Sequence, residues 1–282
     1  MAESAPNSIR LAGASADTDA LAIPQYHAGQ IFAVWAAAAL PMAALGWIVA
    51  PALTEAATVT GHAGGFERLA VLTVGLVWQF VLVAGLLYRE AGTLRWSAWR
   101  ARLWLGGPRD RVGGLVQRRL WWWVVPLIVV TATFELVLGP ILDRAWVSLV
   151  PTVAEPSGFS LNGLLATAEA RARLVGAWDV WALFVVSAIF NTVVGEELLF
   201  RGWLLPRMAG VCGRWDWLVN GVLFGLYHLH QPWGLPGNIV GGAVCYAWPS
   251  RRFRCAWFGI VAHSGQSVFF AILLLALVLG RG

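Results

Sequence analysis

The chain has 282 residues, 59% of them hydrophobic and only 12% charged, with a mean hydropathy of +0.67. A soluble chain is about half apolar and about a quarter charged, so there is too little polar surface here to cover a water-soluble globule. The same balance excludes disorder, while 31 glycines without a period and three cysteines exclude a collagen or a disulfide scaffold.

What remains is an integral membrane protein, all-α, a polytopic bundle of transmembrane helices. The net charge of +5 and the pI near 9.7 fit that class without a nucleic-acid partner. All 20 basic residues are Arg, and they cluster between apolar runs. Basic loops beside spans follow from the positive-inside rule and from attraction to anionic lipid. Cys212, Cys245 and Cys255 fit no metal-ligand spacing and read as small core side chains.

Residues 1–30 are rich in Ala, Ser and Asp, with Pro6 and Pro24 and Arg10 as the only base. They lack the basic start, short apolar core and cleavage site of a signal peptide and read as a mobile tail. The remainder, 31–282, reads as one membrane-embedded domain, since no internal repeat is evident. Its first span is Ile31 to Leu53, uncharged and long enough for roughly 30 Å of hydrocarbon, with a kink expected at Pro41. Leu69 to Tyr88 is the second. The loop after it holds Arg89, Arg95, Arg100, Arg102, Arg109, Arg111, Arg118 and Arg119 against Glu90 and Asp110, which places it and the N-terminus in the cytoplasm. Trp96, Trp99 and Trp104 among these bases suggest a short helix on the membrane surface.

Leu120 to Leu142 is the third span and opens on Trp121, Trp122 and Trp123, rings suited to the headgroup level. Residues 143–177 have no basic excess and read as an external loop carrying a surface helix. A fourth span runs from Trp178 to about Met208. A fifth, Trp217 to His230, and a sixth, Leu235 to Trp248, are short of the ~20 residues of a full crossing and fit re-entrant segments equally well. Arg251, Arg252 and Arg254 then mark the cytoplasm again, and Ala256 to Gly280 is the seventh span.

Ionisable groups inside spans cost roughly 3 kcal/mol each on insertion scales, so those present point to function. They are Glu135, Glu196 and Glu197, His228 and His230, and His263. Glu197 and Arg201 are four apart on one helix face and can pair, which leaves Glu196, about 100° away, free for chemistry. Against this stands the plain reading that both acids are solvated near the cytoplasmic end. His228 and His230, two apart, do not face one another and form no ready chelate. His230, beside Gln231 and Pro232, reads as a hydrogen-bonded residue at a helix end. His263, Gln266 and Ser267 share a face and could serve only as polar glue between helices. The set outweighs its members: a carboxylate pair and two imidazoles on three helices are what water activation needs. Glu135 stands apart from this set. No His-Glu-x-x-His, Gly-x-Ser-Gly or Gly-x-Gly-Asp element is present, so other intramembrane protease classes are not supported.

These residues resemble the CAAX-protease and bacteriocin-processing (CPBP) family of intramembrane proteases, bacterial relatives of the type II CAAX prenyl endopeptidase. That family carries Glu-Glu-x-x-x-Arg, Phe-x-x-x-His and His-x-x-x-Asn on separate helices. Glu196, Glu197 and Arg201 fit the first motif, Phe224 and His228 the second, and His263 opens the third, with Ser267 where Asn is usual. The likeness spans about residues 180–270. It implies a multi-pass protein of the bacterial inner membrane that cuts a membrane-associated protein within the bilayer or at its cytoplasmic side. Glu196 would then activate water with help from His228, His263 and residue 267 would stabilise the oxyanion, and Glu197 and Arg201 would be structural. The Ser267 hydroxyl has a shorter reach than an amide, and Gln266 is a neighbouring substitute. No cofactor is called for, with a zinc enzyme on the same residues as the alternative. A partner-binding protein with a degenerate site is the non-enzymatic rival, and a transporter is less well supported because paired repeats are not apparent.

Overall fold

The structure, a computed structural model, describes residues 23–53, 64–110, 114–156, 159 and 171–281. Most of the expected N-terminal tail (1–22) and part of the expected external loop 143–177 (157–158 and 160–170) lie outside the described residues.

The described chain is helical, with one isolated β-bridge between Arg109 and Val116. Five helices are long and apolar enough to cross a bilayer: α1 (Ala28–Leu53), α2 (Glu67–Ala91), α4 (Arg118–Leu149), α5 (Trp178–Arg207) and α8 (Trp257–Val278). Between them lie α3 (Trp96–Arg102), α6 (Asp216–Tyr227) and α7 (235–253). The expectation of about seven spans is therefore met in five. The fifth and sixth predicted spans are α6, only 12 residues long, and α7, whose Asn238, prolines and terminal arginines hold its apolarity below that of a crossing helix. Residues facing outward on the long helices are apolar, Leu136 and Ile48 among the most exposed, as a lipid-facing surface requires.

The two ends of the bundle are fixed by different contacts. At one end the Tyr26 amide donates to the Arg207 carbonyl, and Arg207 binds Glu90 through two bonds of 2.8 and 3.2 Å while lying 3.4 Å over the Trp203 ring. Arg207 also donates to the Arg102 carbonyl, Trp257 to Leu105, and Arg251 pairs with Asp216. These contacts join the start of α1, the ends of α2, α3, α5 and α7, and the starts of α6 and α8. At the opposite end Arg68 donates to the carbonyls of Gly46 and His230, Trp146 to Pro232, and Gly176 to Val278. The short helix expected in the basic loop is α3, whose Trp99 stacks on Phe80 of α2 at 5.8 Å.

Inside lipid, helices associate by close packing, and small residues permit it. A Cβ at Gly221 of α6 would stand 2.4–2.5 Å from atoms of Ala243 on α7, and one at Gly225 would stand 2.2 Å from Ile239. One at Gly195 of α5 would lie 3.1 Å from the Leu76 carbonyl of α2. Widened π turns recur in the same region, at 190–195 and 198–204 in α5 and at 242–247 in α7; such turns often mark functional sites. Gly221→Ala is expected to cost about 1–3 kcal/mol, the range for overpacking. It should lower the melting temperature in detergent, whereas Gly85→Ala, with open space around its Cβ, should leave it unchanged or slightly higher.

Candidate functional site

Glu196 and Glu197 sit between the two π turns of α5, both buried, with their carboxylates turned to different neighbours. Glu197 Oε1 accepts from Arg201 Nη1 at 2.9 Å and lies 3.1 Å from His263 Nδ1 on α8. Arg201, fully buried, also donates to the Gly242 carbonyl of α7 at 2.9 Å and stands 4.1 Å over the Phe224 ring of α6. The i,i+4 pairing read from the sequence is thus present, and its anion additionally orients an imidazole. Because His263 Nδ1 is taken up by Glu197, Nε2 is the nitrogen left for other partners. The ring is held flat by Tyr246, stacked at 4.7 Å.

Glu196 faces the other way. With its amide nitrogen turned toward the carboxylate, Asn191 donates to both Glu196 oxygens at 2.9 Å. Tyr227, whose hydroxyl accepts from Gln79 at 2.6 Å, is a neighbour of Glu196. His228 Nε2 lies 3.9 Å from Glu196 Oε1. The other nitrogen of His228 is 2.9 Å from the Phe224 carbonyl, an acceptor, so Nδ1 carries the hydrogen and Nε2 presents a lone pair toward Glu196. The tautomer follows from the fold: α6 ends at Tyr227, and the Phe224 carbonyl in its last turn is open to a side chain. A gap of 3.9 Å between two acceptors is too long for a direct bond and suits one water bonded to both.

Two cavities meet at His228. One, of about 270 Å³, is lined by His228, His263, Gln266, Tyr246, Glu135 and Asp143. The other, of about 180 Å³, is lined by Glu196, His228, Asn191, His230, Gln231 and Ser267. The structure therefore brings Glu196, His228 and His263 around one pair of adjoining cavities. It separates Ser267 from His263: Ser267 shares the cavity of Glu196, while Gln266 shares that of His263. Residues 266 and 267 point about 100° apart on α8, which is why one serves each side.

Several polar residues here carried no signal in the sequence. Asn191, Tyr227 and Gln79 are uncharged and pass unnoticed in an apolar run. Glu135 was legible as an acid within a span, and it accepts from the Tyr246 hydroxyl at 2.6 Å and from Gln266 at 3.0 Å, on the wall of the larger cavity. His230 stacks on His228 at 5.5 Å. Among the described residues no group of three or more His, Cys, Asp or Glu side chains converges as a metal site.

Ionisable side chains buried inside a helical membrane bundle and gathered at cavity walls mark a functional site. Residues 177–278, from the start of α5 to the end of α8, match the family described as type II CAAX prenyl endopeptidase Rce1-like. This is consistent with the CPBP resemblance, and the matched family is one of membrane proteases. No curated protein and no solved structure matches the chain.

Removing Arg201 would leave Glu197 buried without its cation, an uncompensated charge worth about 3–5 kcal/mol. Arg201→Met should therefore lower the melting temperature in detergent markedly, and the double variant Glu197→Gln/Arg201→Met should recover part of the loss.

Proposed function

We propose that the protein is a glutamate-type intramembrane endopeptidase that hydrolyses a peptide bond of a membrane-associated protein. The observation that carries this reading is the 3.9 Å separation of Glu196 Oε1 and His228 Nε2 at the junction of the two cavities. A water held by both acceptors loses a proton to Glu196 as its oxygen attacks the carbonyl carbon of the scissile bond. Asn191 holds the carboxylate in place, with Tyr227 beside it. As an imidazolium, His263 donates from Nδ1 to the Glu197 carboxylate and from Nε2 to the tetrahedral oxyanion, in an orientation set by Glu197 and Tyr246. Gln266, in the same cavity, is the nearby amide that takes the part of the missing Asn. Glu196 then returns its proton to the departing amine, which closes the cycle without a covalent intermediate.

In this scheme Glu197 and Arg201 act through His263 rather than on the substrate, and no step requires a metal. The zinc alternative and the partner-binding alternative predict different outcomes. The informative experiment compares peptide termini in membranes of cells carrying wild-type protein and the isosteric Glu196→Gln variant. Glu196→Gln should eliminate the cleavage while the protein still accumulates and melts normally. His228→Ala should slow turnover by roughly 10²–10⁴-fold, the range for loss of acid–base help. A strong chelator should leave the activity intact. Cleavage that persists in Glu196→Gln would falsify the assignment, and loss on chelation with recovery on zinc would favour the metal enzyme.

A further inference from the structure

We infer that the groove between α4, α7 and α8 at the arginine-rich end of the bundle binds an anionic phospholipid, with one acyl chain in the groove and the phosphate on Arg252. The groove shares no lining residue with either cavity at His228, so this inference stands apart from the hydrolytic reading.

The shape of the groove suits a hydrocarbon chain. It holds about 290 Å³ and runs from Trp123 to Val130 along α4 and from Val244 to Arg252 along α7. At 1.5 Å per helical residue each wall is roughly 10–12 Å long, room for the headgroup-proximal part of one acyl chain. At its base Phe258 of α8 stacks on Phe253 at 4.3 Å and on Trp121 at 5.6 Å, and both phenylalanines are buried. The flanking Val130, Val244 and Trp248 are exposed, so the groove opens toward the hydrocarbon that surrounds the bundle. Trp123 and Trp248 are of the type that settles at headgroup level, which sets the depth of the mouth.

Charge complementarity names the headgroup. Nη1 of Arg252 is buried and has no hydrogen-bond acceptor. Among the described residues the carboxylates at this end are already engaged: Glu90 by Arg207, Asp216 by Arg251 and Asp110 by Gln117. An N–H of a cation left without an acceptor is costly, and the anion that a bilayer offers at this depth is a lipid phosphate, which also suits the planar fork of a guanidinium. The loop from Arg89 to Arg119, with Arg251 and Arg254, gives the same end a large surplus of positive charge. That surplus repels the cationic part of a zwitterionic headgroup and selects a lipid of net negative charge.

Native mass spectrometry of the full chain in detergent, titrated with dioleoylphosphatidylglycerol or dioleoylphosphatidylcholine, tests this. The wild-type protein should hold the anionic lipid about fivefold more tightly or better, the factor equivalent to about 1 kcal/mol per arginine at an anionic surface. Arg252→Gln should bring the two affinities together. Val244→Trp, which fills the groove and leaves the arginine in place, should weaken binding of the anionic lipid as well. Arg95→Gln, at an exposed position of the same end, should leave the preference unchanged. Glycerol 3-phosphate, which has the phosphate without the chains, should not displace the lipid. Equal affinity for the two lipids in the wild type overturns the inference, and so does a preference that survives Arg252→Gln. Displacement by glycerol 3-phosphate overturns it in favour of a simple anion site, and a dimer that Val244→Trp dissociates overturns it in favour of an interface between copies of this chain. Should one groove variant fail to accumulate, the other still decides.

Discussion

The interaction on which the rest of the structure depends is the buried contact of Arg201 with Glu197. A guanidinium with no exposed surface, in the middle of a lipid-embedded bundle, is tolerable only if its donors find fixed acceptors. Its two partners, the Glu197 carboxylate and the Gly242 carbonyl, lie on α5 and α7, and its flat face rests on Phe224 of α6. Glu197 in turn holds His263 of α8. One cation therefore locks four helices in register, and these are the helices that carry every residue proposed to act on the substrate. The pair adds little net stability once desolvation is counted. Its value lies in specificity, because any slip of one helix would strand a buried charge.

That lock requires very close helix approach, and glycine supplies it. Gly242 presents its carbonyl to Arg201 because a Cβ there would stand only 2.6 Å from the Phe224 ring. At Gly259 a Cβ would meet Glu197 Oε2 at 2.4 Å, so the bare backbone of α8 is what lets the acid lie between α5 and α8. The π turns complement this. By widening α5 before and after the acidic pair, they let adjacent carboxylates diverge, one toward Arg201 and His263, the other toward Asn191, Tyr227 and His228.

What the sequence made legible follows from the solvent. In a bilayer each ionisable side chain is costly, so Glu196, Glu197, Arg201, His228 and His263 stood out against an apolar background, and the structure gathers them. The roles of neutral groups were not legible, because Asn191 or Tyr227 in a span has no spacing signature and acquires its role only from the helix opposite. Helical spacing put both Gln266 and Ser267 on the face of His263, and the family likeness singled out 267, whereas tertiary packing keeps only Gln266 in the cavity of His263. The span count is met in five helices for a related reason. Apolar runs identify what is buried, and α6 and α7 combine apolar residues with glycines and polar residues that serve close packing.

On the proposed hydrolytic reading, the two cavities divide the labour between water and peptide. A hydrolase must bring water and peptide to one carbon from different directions, and in lipid each needs its own polar path. Among the described residues His228 alone borders both spaces, with Nε2 directed to Glu196 and its ring edge-on to Phe224 at 4.8 Å. The smaller cavity, with Asn191, Glu196 and Ser267, has the size and hydrogen-bonding capacity for a few waters; the larger, with His263 and Gln266, has room for a stretch of backbone. On the proposed reading, the imidazole between them is where a nucleophile on one side meets a carbonyl on the other. Because α6 ends at that point, His228 sits on a turn rather than in mid-helix, and its ring can stand between the two spaces with the Phe224 carbonyl holding the far nitrogen.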